Sequence, residues 1–171
     1  MRNLAIAATA LLASLVAGPA LAQSAPDDMG VTLTVEASCT ISVGTLDFGN
    51  IATLTTGAGD INASTDISVT CTSEAPYQIG LGLGLNALTT QRRLFNSAAT
   101  ANTHLNYGLF RNNARDLAWG ATKGTDTASG TGNGTAQTHT VYGSVPSGQN
   151  VSLGDYADTV TATVWYGTGL P

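Results

Sequence analysis

Apolar and polar residues alternate with a period of two along most of this chain. The pattern is already present at 31–35, where Val31, Leu33 and Val35 are separated by Thr32 and Thr34. Successive side chains of a strand point to opposite faces, so such a run has one face to bury. Cys39, Ile41 and Val43 share the next face, after which the phase shifts and Leu46 and Phe48 fall together. The slip at Gly44-Thr45 implies a bulge, or a strand passing from one sheet to another. Ile67, Val69 and Cys71 again share a face, which points both cysteines inward. In 77–85, Tyr77, Ile79, Leu81, Leu83 and Leu85 lie on one side of a predicted strand and Gly80, Gly82 and Gly84 on the other. That bare side predicts close backbone approach or a sharply coiled strand. Shorter strands are expected at 92–95, 105–110, 117–119 and 139–145, and the last strand alternates Val160, Ala162, Val164 and Tyr166 inward with Thr161, Thr163 and Trp165 outward. Residues 121–138 read as a polar, Gly- and Thr-rich loop with nothing to bury.

No window repeats apolar residues at helical spacing for three turns, so the fold class is all-β. Short strands at regular spacing predict a β-sandwich, and an immunoglobulin-like one needs about seven strands. From Cys39 onward six are convincing, or seven if "DLAW" is counted, and only 167–171 follow the strongly apolar final strand. A sandwich without its last strand presents an apolar groove and an unpaired edge, which is an aggregation hazard in isolation. The spare strand stands at the other end of the sequence, at 31–35.

Residues 1–22 read as a secretory signal. Arg2 gives a thin positive start, Leu4 to Val16 is an apolar run, and Ala20-Leu21-Ala22 places small residues for cleavage after Ala22. The run is shorter than the roughly 20 residues that span a bilayer, which argues against direct membrane insertion. The expected mature chain is long enough for one domain with a real core. With Arg2 removed, five of the six basic residues face eleven acidic ones. That balance argues against nucleic acid as a partner.

Cys39 and Cys71 are the only cysteines, and an oxidising compartment favours a disulfide between them. In the chain-entropy model such a closure is worth roughly 3 to 4 kcal/mol. Two cysteines and two distant histidines give no metal-ligand spacing, so no metal and no cofactor are expected. His104 and His139 have no nucleophile elbow to serve, and the chain is not read as an enzyme. The glycine run of 80–84 lacks phosphate-loop spacing. Asp155, Tyr156 and Asp158 read as a turn into the last strand, with Tyr156 the candidate for a corner tyrosine bonding the backbone; an ion site is the other possibility. Trp119 is expected to pack inside, and Trp165 to be either a sugar platform or covered by a neighbouring element. Arg92, Arg93, Arg111 and Arg115 read as a solvated or ion-paired set. Asn62 and Asn133 begin glycosylation-like triplets, a pattern short enough to arise by chance.

The segments "CTISVGTLDFGN", "ISVTCT", "LNYGLFRNNARDLAWG", "VYGSVPSGQ" and "GDYADTVTATVWY", in this order and spacing, resemble the spore coat protein U domain, which includes subunits of archaic chaperone-usher pili. The resemblance runs from about Val31 to Tyr166. It implies an incomplete immunoglobulin-like sandwich, at 37–171, completed by a strand from another chain. A periplasmic chaperone would lend that strand first, and at an outer-membrane usher the N-terminal segment of a neighbouring pilus subunit would replace it. On that basis 23–36 holds a linker and a donor strand whose knobs are Met29, Val31, Leu33 and Val35. The groove and core candidates are Ile41, Val43, Phe48, Val69, Val160, Ala162, Val164 and Tyr166. The expected product is a surface fibre serving adhesion and biofilm formation. The alternative is a secreted or coat sandwich that completes itself with 31–35 and binds a surface glycan as a monomer.

Overall fold

A computed structural model describes residues 22–52, 54 and 59–171, so the expected leader lies outside the described residues except for Ala22. The chain divides into two units, one ending at Thr34 and one running from Val35 to Pro171. In the described part of the first unit no residue is in a strand or helix, and Met29, Val31 and Leu33 are exposed, Leu33 to 88%.

The second unit contains β1 (Cys39–Val43), β2 (Ile61–Cys71), β3 (Pro76–Leu81), β4 (Arg92–Phe95), β5 (His104–Phe110), β6 (Ala128–Thr131), β7 (Ala136–Val145) and β8 (Ala162–Tyr166). They form two sheets, in the orders β1-β2-β7-β5-β4 and β6-β3-β8, with antiparallel pairing throughout. In immunoglobulin lettering the first sheet carries A-B-E-D and the second carries C-F. Among the described residues no strand occupies the place of G, beyond β8.

Period-two patterning decides which faces meet. Along β2, Ile67, Val69 and Cys71 are fully buried, while Asn62, Ser64, Asp66, Ser68 and Thr70 stand on the outer face. Ile67, Val69, Tyr77, Ile79, Trp119 and Val145 are the largest apolar side chains at the centre of the sandwich. Trp119 donates its indole N–H to the Ile79 carbonyl at 2.9 Å, which satisfies its one polar atom inside the core. Gly143 on β7 lies where a side chain would meet the Leu46 and Phe48 rims, so its bare backbone admits both. Those two residues pack inward without forming a strand of their own.

Four local readings are corrected. The strand expected over 77–85 ends at Leu81, because Gly84 adopts φ +88° and the Asp158 carboxylate accepts from the Leu85 and Asn86 N–H groups, turning the chain away. Leu83 and Leu85 are consequently exposed. The supposed loop 121–138 contains β6 and the start of β7, with Thr127 buried and donating its hydroxyl to the Gln78 side-chain oxygen. Backbone pairing with β3, rather than an apolar pattern, makes β6 a strand. Residues 117–119 make only a single bridge, Phe110 to Ala118. Finally, the four arginines are not a purely solvated set: Arg92 is buried, Arg93, Arg111 and Arg115 are partly exposed, and all four donate to backbone carbonyls.

Candidate functional site

β1 is the edge of one sheet and β8 the edge of the other, and the two edges approach each other. At one end they close: the position of a Cβ on Gly167, just past β8, lies 3.9 Å from the Ala37 methyl. There Thr72 holds the lead into β1, its backbone N–H donating to Ser38 at 2.9 Å while its hydroxyl accepts from the Ser38 N–H at 3.1 Å. Toward the other end the edges part around a groove of about 270 Å³. Val43, Leu46 and Phe48 line one wall, and Asp158, Thr159, Val160 and Ala162 the other. Ile67, Leu81, Leu94, Leu109 and Val141 form an apolar floor. Among the described residues β1 pairs only with β2, and β8 only with β3, so each keeps one unpaired row of backbone groups.

One polar cluster belongs to this groove. Tyr107 on β5 donates its hydroxyl to Asp158 Oδ2 at 2.7 Å, and its ring meets Phe48 edge-on with centroids 6.4 Å apart. The other carboxylate oxygen of Asp158 accepts from the Leu85 N–H at 2.9 Å, the Asn86 N–H at 3.2 Å and the Asn86 side-chain amide at 3.0 Å. Burial, then the Asp158 bond and charge, push the Tyr107 phenol well above its ordinary range, so it stays protonated and a donor. Nearby, Arg92 donates to the carbonyls of Gly82, Leu81 and Trp119 at 2.8 to 2.9 Å. Its burial lowers its pKa, opposed by Tyr107, Asp126 and Asp158.

The predicted residues fall as follows. Cys39 and Cys71 stand directly opposite each other in the β1–β2 register and are joined by a disulfide. Val69 is buried, and Ile41, Phe48, Val160, Ala162 and Val164 pack against the core. Val43 is 51% exposed and lines the groove, whereas Tyr166, opposite Tyr77 at the end of β8, is 44% exposed and does not line it. Val35, first residue of the second unit, is exposed. The Tyr156 hydroxyl reaches the Ser152 carbonyl at 2.8 Å and the Asn102 carbonyl at 3.1 Å. His139 pairs with the Tyr77 hydroxyl at 2.8 Å, while His104 stacks on Phe95. Trp165 is partly covered, with Lys123 over its ring at 5.6 Å. Sequence reasoning missed Tyr107, Leu109 and Val141 as groove residues, although the alternation Leu105, Tyr107, Leu109 carried the signal. It placed Asp158 in a turn without its bond to Tyr107.

These features have relatives. The model of the Spore Coat Protein U domain matches residues 25–163. The chain belongs to this family. Protein U of Myxococcus xanthus is 38% identical over 176 residues, covering 95% of this chain and 97% of that protein. Among solved structures, the CsuC–CsuE chaperone–tip adhesion subunit pre-assembly complex from the archaic chaperone-usher Csu pili of Acinetobacter baumannii aligns with a TM-score of 0.56 at 24% identity. The alignment covers 77% of this chain and 40% of that one. At this level it shows a shared immunoglobulin-like fold for this spore coat protein U domain.

Proposed function

We propose that this chain is a structural subunit of a surface pilus, assembled by a periplasmic chaperone and an outer-membrane usher through donor-strand exchange. The observation that carries the reading is the groove between the free edges of β1 and β8. A strand laid there pairs its main chain with an edge and seats alternate side chains on the apolar floor. Met29, Val31, Leu33 and Val35 have the required alternation and are exposed, with no strand assigned to them. Burying three such side chains contributes about 5 to 9 kcal/mol gross, before ordering costs. Residues 23–28, with Pro26 and two aspartates, serve as the linker between subunits.

An empty groove is an aggregation hazard, which is the physical reason for a chaperone that lends its own strand until the next subunit arrives. The likeness to a chaperone–subunit complex supports this partner. A head-to-tail contact that does not close produces a filament. The role is structural, without an enzymatic step: the subunit is exported through the periplasm after cleavage of its leader, and the fibre serves adhesion and biofilm formation at the cell surface.

The test is co-expression with the cognate chaperone and usher, shearing of the cell surface, and a denaturing gel with and without boiling. A ladder of multiples that collapses to one band on heating is the expected result. A monomer band under both conditions, from folded and exported protein, overturns the reading in favour of a self-completed secreted or coat protein.

A further inference from the structure

Tyr107 touches both walls of the groove at once. Its hydroxyl holds Asp158 on the β8 side, and its ring holds Phe48 on the β1 side. Asp158 is in turn fixed by three N–H donors from Leu85 and Asn86, and the bridge between Phe95 and Ala157 ties the preceding residue to β4 at 2.8 and 3.1 Å. The β8 wall is therefore anchored outside the groove, and Tyr107 transmits that anchor to the opposite wall. Without such a strut, two apolar walls with no strand between them gain by collapsing onto each other.

We propose that Tyr107 and Asp158 are positioning residues that set the width of the empty groove and hold it ready for an incoming strand. The inference rests on the donor-strand reading above. Both line the groove, and both act through the spacing of Phe48 and the lead into β8. Their effect is confined to the empty state, because a seated strand keeps the walls apart by itself.

The experiment uses the full-length subunit refolded without chaperone, its groove empty, and a fluorescent peptide of residues 25–38, measuring the rate of peptide uptake and the temperature at which the seated peptide is released. Tyr107→Phe keeps the ring on Phe48 and removes only the bond to Asp158; Asp158→Ala removes the anchor. Both are expected to slow uptake about tenfold, the worth of one charge-assisted hydrogen bond, with the release temperature unchanged. Asp158→Asn restores uptake, since its oxygen accepts from Leu85 and Asn86 and its amide donates to the phenol oxygen. Uptake at wild-type speed in Tyr107→Phe overturns the inference. So does an equal fall in uptake and release temperature, which marks a general structural role, or an Asp158→Asn as slow as Asp158→Ala. Should Asp158→Ala yield no folded subunit, Tyr107→Phe carries the test. Absence of uptake by the folded wild-type subunit strikes the donor-strand reading itself, and this inference with it.

Discussion

The indole of Trp165 lies across Gly80: a Cβ at that glycine would sit 2.6 Å from Cζ3 of the ring and 2.9 Å from the Ala121 Cα. Gly80 pairs with Thr163 in the β3–β8 register, and Trp165, two residues on, leans over the bare backbone. The glycine face of β3 is thus the seat of the tryptophan, and β8 is held to its sheet on the side away from the groove core.

Gly80→Ala is therefore expected to destabilise the protein. Neither the ring nor the Ala121 backbone moves cheaply, so the overpacking costs about 1 to 3 kcal/mol. Urea denaturation of the chaperone-free, peptide-filled subunit measures it. An unchanged midpoint would show that the indole turns aside freely, and that close packing is not why the glycine is there.

Much of the sandwich was legible from the sequence because period two is local information. β1, β2, β5, β7 and β8 announce themselves by alternation, and the opposition of Cys39 and Cys71 follows from antiparallel pairing of the first two. What was not legible depends on partners distant in sequence. β6 has little apolar content and is a strand because β3 offers it a ladder. β3 stops early because a carboxylate 73 residues from Leu85 captures its N–H. Arg92 looked like a surface cation, yet its charge is spread over three carbonyls at 7% exposure. The groove itself was foreseen as a missing strand, but the contacts that span it required knowing that Tyr107 lies between Phe48 and Asp158.

His139 predicts a pH dependence. It faces Tyr77 across the two sheets, and burial lowers its pKa below the usual imidazole value. Near and below pH ~6.5 the unfolded chain takes up a proton that the folded chain resists. Stability from this group is therefore full above that pH and is lost as pH falls toward the lower folded value. The denaturation midpoint is expected to drop between about pH 7.5 and 5.5, and the drop to shrink in His139→Gln, which has no charge to gain. The same drop in both proteins would assign it to other groups.

The proposed donor strand predicts a position-specific block. Leu33→Asp places a carboxylate where an apolar pocket must receive it, at a cost of several kcal/mol on the order of the whole gain from seating the other knobs. The heat-sensitive ladder is expected to disappear, while the chaperone complex forms in normal yield, because on the proposed reading the chaperone fills the groove with its own strand and residue 33 is no part of that groove. Thr32→Asp puts the same charge one residue away, on the side that alternation turns to solvent, and should leave the ladder in place. Comparing the two on sheared surface material separates register from mere loss of hydrophobicity. If Leu33→Asp fibres form with wild-type heat stability, Leu33 is not a knob; if Thr32→Asp blocks assembly equally, the segment does not insert as an alternating strand.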